Sequence, residues 1–146
     1  MRRVCLYALL FFAAVPAWAE LGGDAASIER DGVRMQAARR LLPAQKYAVH
    51  EMQLAGGTAV REYLSADGKV FAVTWRGARM PDLRQLFGAA YFDRYRQAAA
   101  QRRGRGPGRI EADGLVVHSG GHMRAYAGMA YVPQLVPGDV SVDELE

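Results

Sequence analysis

The sequence predicts an α+β domain, in which an antiparallel sheet of about five strands, in the order β-β-β-α-β-β, packs on one amphipathic helix. Three observations lead to this class. Three runs rich in β-forming residues follow one another across 46–75, with glycine-containing turns between them. A run with helical spacing of apolar residues comes next, in 80–101, and two more β-rich runs follow it. One helix beside several strands is typical of a sheet that the helix covers on one face.

The first three predicted strands form two hairpins. They read "KYAVHEMQL", "TAVREYLS" and "VFAVTW", and the turns between them contain Gly-Gly and Asp-Gly. Both pairs supply the positive φ that tight hairpin turns require. The Gly-Gly turn brings the end of the first strand opposite the start of the second, so we expect His50 or Glu51 to meet Arg61 or Glu62 across the hairpin. Such a pair stabilises the sheet or, alternatively, belongs to a polar pocket beneath it.

Strict alternation along the third predicted strand places Phe71, Val73 and Trp75 on one face. These are its largest side chains, so we expect this face to pack against the core. The helix that follows reads "MPDLRQLFGAAYFDRYRQAAAQ", and Pro81 and Asp82 suit its first turn. Its apolar stripe has the helical spacing i, i+3, i+4, i+7 and i+8, and consists of Leu83, Leu86, Phe87, Ala90, Tyr91 and Tyr95.

The stretch "HSGGH" lies between the last two predicted strands, "RIEADGLVVHS" and "HMRAYAGMAYVP". A turn at its two glycines pairs Ser119 with His122 and sends His118 and His122 to opposite faces. We therefore expect no metal site at the two histidines. Ser119 lacks the G-x-S-x-G context of a nucleophile, so no catalytic residue is predicted either. The polar or partner-facing candidates are His50, Glu51, Arg61, Glu62, His118, Ser119 and His122.

The N-terminus is predicted to be a secretory signal peptide over 1–19, with the only cysteine, Cys5, inside it. Removal of Arg2 and Arg3 with it lowers the net charge from +4 to +2. The mature chain then has no disulfide, no thiolate site and no transmembrane segment, and resides in the periplasm or outside the cell. It is predicted to consist of an N-terminal arm with short helical turns (20–45), one α+β domain (46–137) and an acidic tail (138–146).

A basic loop follows the predicted helix. It carries Arg102, Arg103, Arg105 and Arg109 among several glycines. These arginines are candidates for contact with an anionic membrane surface or envelope polymer, and the alternative is a solvated loop. Nucleic acid is not expected as a partner, because no aromatic platform is interleaved with the charges. No Gly-Lys-Ser/Thr motif follows the glycines, so no nucleotide cofactor is predicted, and no other cofactor is expected.

Four motifs, taken together, resemble domain-of-unknown-function family 2844, which consists of small exported proteobacterial proteins. They are "LGGDAAS", "YAVHEMQLAGGTAVREYLSADGKVFAVTWRG", "PDLRQLFG" and "SGGHMRAYAGMAYVPQLVPGDVS", and they extend over nearly all of the chain after the predicted signal peptide. The resemblance implies export and a single domain. It implies no activity and no role for any residue.

Two hypotheses about function follow. In the first, the protein is a non-catalytic exported domain that binds an envelope protein, for example by adding a strand at an exposed sheet edge. In the second, it is a small-ligand carrier or a small hydrolase with a pocket between helix and sheet, lined by His50, Tyr63 and Tyr91. A core filled with side chains favours the first hypothesis, and an open pocket with convergent polar groups favours the second.

Overall fold

One antiparallel sheet of seven strands organises the protein. The computed structural model describes residues 21–42, 44–102, 104 and 108–145, and within them the strands lie in the order β1-β2-β3-β4-β7-β6-β5. The strands are β1 Ala38–Leu42, β2 Ala48–Gln53, β3 Thr58–Leu64, β4 Val70–Gly77, β5 Gly108–Ala112, β6 Leu115–His122 and β7 Ala125–Tyr131. The helices are α1 Ala25–Arg34, α2 Leu83–Phe87 and α3 Ala89–Gln101, and short 3₁₀ turns span Pro133–Leu135 and Val142–Glu144.

The predicted α+β class with an antiparallel sheet is confirmed, but the sheet has seven strands rather than about five. The first additional strand, β1, arises within the segment predicted as an arm, beside α1. It lies at the sheet edge and is mostly exposed, so its sequence shows no alternation of apolar and polar residues. The second comes from the run "RIEADGLVVHS", which is a hairpin of β5 and β6 with a turn at Asp113 and Gly114, where Gly114 has φ 71°.

The turn predicted at Gly120 and Gly121 is wrong. β6 continues through both glycines to His122, which pairs with Ala125, so the turn residues are Met123 and Arg124. Arg124 takes the positive φ, 67°, that this turn requires. Gly121 is needed for another reason: a Cβ there would overlap the carbonyl of Ala125 on the facing strand.

The helices pack on one face of the sheet, which we call the helix face. Its buried side chains come from alternate positions of the central strands and from α1 and α2, with the rings of Trp75 and Phe87 6.0 Å apart. Burial of large apolar side chains here contributes roughly 1.5–3 kcal/mol each. The fully buried members include Ile28, Met52, Val60, Val73, Trp75, Leu86, Phe87, Leu115 and Val117.

The opposite face, which we call the open face, is covered only in part, by a C-terminal segment that comprises residues 133–145. Val140 and Leu145 of this segment are buried in a second apolar cluster with Val49, Tyr63 and Phe71. The rings of Tyr63 and Phe71 lie 6.2 Å apart in this cluster. Residues 138–145, which carry the acidic side chains of the predicted tail, are thus attached to the sheet through their apolar members.

Phe71 belongs to the open face because of an irregularity in the β3–β4 pairing. Tyr63 pairs with Ala72 and Leu64 with Val70, so Phe71 is an additional residue on β4. An additional residue shifts the alternation of side chains by one position. The expectation that Phe71 shares a face with Val73 and Trp75 is therefore wrong, although Val73 and Trp75 do face the same core.

The predicted single helix is divided at Gly88, which has φ 77° and ends α2 before α3 begins. Asp82 caps α2, because its carboxylate accepts hydrogen bonds from the backbone N–H groups of Arg84 (2.9 Å) and Gln85 (3.2 Å). Because the helix is divided, the residues of the predicted apolar stripe do not all face the core. Leu86 and Phe87 are buried, whereas Ala90 is exposed.

Candidate binding groove

A groove with a volume of about 590 Å³ lies on the open face. It crosses the sheet from β3 to β5, and Leu145 of the C-terminal segment lines one side. The register places its side chains on one surface, because residues opposite each other in neighbouring strands share a face. The polar and cationic side chains on this surface include Arg61, Thr74, Arg76, Arg109 and His118, with Met129 among them, and Ser119 also lines the groove.

Arg61 is held by a buried carboxylate. Its Nε lies 2.8 Å from Oε2 of Glu51, directly across the β2–β3 hairpin, and Arg40 of β1 reaches the other carboxylate oxygen, also at 2.8 Å. The side chain of Glu51 is only 4% exposed. The hydrogen bond from Arg61 lowers the pKa of Glu51 below its usual value, against the opposing effect of burial. The same bond raises the pKa of Arg61.

Arg76 and Arg109 differ in their partners. Arg109 forms an ion pair with Glu111, two residues along β5, at 2.8 Å. Arg76 is exposed on the same face and forms no ion pair or side-chain hydrogen bond within the described part of the chain. No acidic side chain lines the groove among these residues. The groove therefore has a positive surface. Of its three arginines, Arg76 is the one whose charge is not balanced by a described carboxylate.

His118 and Thr74 are the uncharged polar groups of the groove. Nε2 of His118 is buried and has no hydrogen-bond partner in the part of the chain that the structure describes, and its ring lies 6.2 Å from that of Tyr131. Oγ1 of Thr74 lies 3.4 Å from the hydroxyl of Tyr63, whose pKa is raised by burial. A buried nitrogen without a partner is uncommon in proteins, so the His118 ring offers a hydrogen-bonding atom that the protein itself leaves unused.

The four polar residues of the first hairpin are divided between the two faces. Glu51 and Arg61 pair on the open face, whereas His50 and Glu62 pair on the helix face. Burial lowers the pKa of His50, and the nearby charge of Arg39 lowers it further. Glu62 is buried among the residues under α1 and α2. Only Arg61 of these four lines the groove.

His118, Ser119 and His122 lie on one strand rather than on two. His118 faces the groove, and Ser119 pairs with Gly128 at the next position, where side chains point to the helix face. His122 is exposed beside the turn. Four residues along a strand separate the histidines by about 13 Å, too far for one metal ion to bind both. Across the described ranges, no group of three histidine, cysteine or acidic side chains is placed to hold a metal.

Of the described arginines in the predicted basic loop, Arg109 lines the groove. Arg102 is exposed at the end of α3. Arg103 and Arg105 lie outside the described residues, as does the predicted signal peptide, 1–19. Of the helices that are described, none has both the length and the apolar character to span a membrane.

The predicted pocket between helix and sheet is not formed by its expected residues. Tyr63 belongs to the open-face cluster, whereas His50 lies on the helix face and Tyr91 is half-buried on α3. The space beneath α2 is filled by Trp75, Phe87 and their neighbours. The convergent polar groups occur instead on the other side of the sheet.

The groove residues that were not singled out from the sequence include Thr74, Arg76, Met129 and Leu145. Alternation along β4 was sufficient to place Thr74 and Arg76 on one face. It was not sufficient to place them beside Met129, because that contact requires β7 to pair with β4 rather than only with its sequence neighbour β6.

The comparisons with known proteins identify a family and no activity. No curated protein and no solved structure matches the chain. The model of the family described as "Protein of unknown function (DUF2844)" matches residues 17–145, which is nearly the whole chain and confirms the resemblance seen in its motifs. The chain therefore belongs to the DUF2844 family of proteins of unknown function.

Proposed function

We propose that this protein is a non-catalytic binding module of the cell envelope, and that it carries a small ligand in the groove on its open face. One observation carries the proposal: three arginines, a histidine and a hydroxyl surround an apolar floor on a rigid sheet. A pocket with an apolar lining and a few convergent polar groups is the usual form of a small-molecule site. Its volume, about 590 Å³, lies within the usual range for such sites, roughly 300–1,000 Å³.

The chemistry of the groove favours binding over catalysis. A general base needs a carboxylate or imidazole with access to the reacting atom. Glu51 is the nearest buried carboxylate, but two arginines occupy its oxygens and keep its pKa low, so it is a weak proton acceptor. Ser119 is on the strand position that points away from His118, so the two do not form a nucleophile–base pair across the groove.

Placement in the envelope rests on the sequence. The predicted signal peptide, 1–19, directs export, and the mature chain that it would leave has no cysteine to oxidise. Burial on both faces of the sheet then stabilises the fold without disulfides. A groove presented by such a domain is accessible to ligands of the periplasm or the surroundings of the cell.

The test is to block the groove without disturbing the core. Ala127 lies between Arg76 and Gly120 in register on the open face, so Ala127→Trp fills the groove, whereas Gln97→Trp places the same ring on the exposed side of α3. Each full chain, purified from the envelope fraction, is incubated with a solvent extract of envelopes and weighed by native mass spectrometry. We expect an adduct of defined mass on the unmodified protein and on Gln97→Trp, but not on Ala127→Trp. The absence of any adduct, or an equal adduct on Ala127→Trp with unfolding temperatures matched, refutes the proposal.

Strand β1 supports a second candidate function, the capture of an extended segment of an envelope protein. β1 lies at the sheet edge, and no described residue pairs with its outer side. Leu41 on this strand is 64% exposed, and Val33 of the adjoining α1 is 79% exposed. An open edge beside exposed apolar side chains is a surface for strand addition.

This second candidate is tested by photo-crosslinking in cells. A photoreactive residue at Leu41 is expected to link the protein to one defined partner, and the same residue at Gln97, on the exposed side of α3, is expected to link to none. Identical products from both positions, or no product from Leu41, would reject the edge as a protein-binding surface.

A further inference from the structure

We propose that the ligand of the groove is a small amphipathic anion, in which one anionic headgroup contacts Arg76 and a hydrocarbon portion lies over Met129 and Leu145. The inference rests on the proposed function and specifies the class of molecule that the groove takes. The headgroup chemistry is that of a carboxylate or a phosphate or sulfate monoester, all of which guanidinium groups bind through charge-assisted hydrogen bonds.

The charge of the ligand is inferred from the ion pairs of the groove arginines. Glu51 holds Arg61, and Glu111 holds Arg109, each at 2.8 Å, so two of the three groove arginines already face a carboxylate. Arg76 has no such partner within the described residues. One anionic headgroup therefore completes the charge balance of the groove, whereas a cationic ligand would face three guanidinium groups and no lining carboxylate.

The apolar portion follows from the residues between the cations. The sheet surface between the cations carries only small residues, Ala59, Gly120 and Ala127, and therefore leaves space for a ligand. This space is bordered by Met129 and Leu145. The exposed lining is more apolar than polar. Methionine adapts its shape to irregular apolar partners, so Met129 suits contact with a flexible hydrocarbon chain. A ligand that is charged throughout would leave this apolar surface exposed to water.

His118 supplies a second polar contact. Its Nε2 is buried and has no hydrogen-bond partner among the described residues, which is unfavourable for a buried polar atom. Arg76 is opposite Ala127 of β7, and His118 is opposite Met129, two residues along the same strand, so the two side chains are diagonal neighbours across β7 on the open face. His118 and Arg76 therefore line the same cavity.

The probe is decanoate, a saturated fatty carboxylate, added below its micelle concentration to the full chain in a calorimetric titration. Two further probes separate its features: decyltrimethylammonium has the same chain with the opposite charge, and acetate has the same headgroup without the chain. We expect decanoate to bind with one-to-one stoichiometry and the other two to bind at least about tenfold more weakly.

Arg76→Gln should weaken decanoate binding about tenfold, the effect of losing one charge-assisted hydrogen bond. Arg96→Gln, which removes an exposed arginine of α3, should leave it unchanged.

The outcomes distinguish this inference from the proposed function. Equal binding of decyltrimethylammonium, or an unchanged affinity for decanoate in Arg76→Gln, overturns the assignment of an anion to Arg76. If decanoate does not bind, but the envelope extract still gives an adduct that Ala127→Trp abolishes, the groove binds a ligand of another class and this inference is wrong. If both decanoate and extract fail to bind, the proposed function fails with it.

Discussion

At the scale of single residues, Glu51 shows how one buried charge shapes the open face. The sequence predicted that His50 or Glu51 meets Arg61 or Glu62 across the Gly-Gly turn, and the structure pairs Glu51 with Arg61. Burial alone would raise the pKa of Glu51, but the bond from Arg61 outweighs it and lowers the pKa. Glu51 thereby orients Arg61 along the groove and holds Arg40 on the edge strand.

Replacing this carboxylate should reduce stability in a pH-dependent manner. Glu51→Gln is expected to lower the free energy of unfolding by about 1–3 kcal/mol at neutral pH, since it leaves buried polar atoms poorly paired. The folded-state pKa of Glu51 is below the ordinary value of 4.5, so its stabilising contribution is complete above 4.5 and is lost as the pH falls below it. Urea unfolding at neutral and acidic pH measures the difference, which should shrink in acid.

Glu111→Gln is the matched control for Glu51→Gln. It removes the carboxylate of an exposed pair of similar geometry, so its cost should stay below about 1 kcal/mol at either pH. An equal cost for both substitutions would show that burial of Glu51 adds nothing to the interaction.

Gly128 makes a second residue-scale prediction. A Cβ at this position would overlap the indole of Trp75 and approach the carbonyl oxygen of His118 to 2.7 Å. Gly128→Ala should therefore destabilise the protein by about 1–3 kcal/mol. Gly120→Ala, in the neighbouring strand, meets nothing within 4 Å and should change stability by less than about 0.5 kcal/mol. Thermal unfolding of the two variants compares them directly, and similar losses would contradict the role of close packing at Gly128.

At the scale of elements, the sequence predicted the hairpins whose turns have a strong chemical signature. The β2–β3 and β3–β4 turns contain Gly-Gly and Asp-Gly, and both were placed correctly. The β6–β7 turn could not be found this way, because its residues are Met123 and Arg124, while the nearby Gly121 serves close packing within the hairpin. The edge strand β1 was missed because its exposed side chains show no alternation.

The division of the predicted helix gives an element-scale prediction. Asp82 caps only α2, a short helix whose buried residues are Leu86 and Phe87. Asp82→Ala should cost about 0.5–2 kcal/mol of stability through loss of the cap. Asp82→Asn retains a side-chain oxygen that can accept the same hydrogen bonds, so it should recover most of the loss. Urea unfolding of both variants tests this, and equal losses would show that the charge of Asp82, rather than its capping bonds, is what matters.

At the scale of the whole molecule, the two faces of the sheet differ in how completely they are covered. The helix face is filled by side chains, and the open face combines an apolar cluster under the C-terminal segment with the groove beside it. The sequence predicted the class and most of the strands but not this division. Arg61, Arg76 and Arg109 come together only through the strand order, in which β7 separates β4 from β6, and local sequence patterns do not specify that order.

The C-terminal segment is predicted to be part of the folded unit. Val140 is buried beside Tyr63 and Phe71, so Val140→Asp would place a carboxylate in an apolar cluster. We expect a loss of about 1–3 kcal/mol, limited by detachment of the segment from the sheet. Ser141→Asp adds the same charge at the adjacent exposed position and should have little effect. Hydrogen exchange at the amides of Val140 and Leu145 measures the docking, and equally rapid exchange in the unmodified protein would contradict it.

The central claim, that the open face binds an amphipathic anion in its groove, is tested most directly by mapping amide chemical shifts by NMR while decanoate is added. We expect the largest changes at Arg76, His118 and Met129, and little change at Leu86 and Phe87 beneath the helices. Changes centred on the helix face, or no saturable change at the groove, would contradict it.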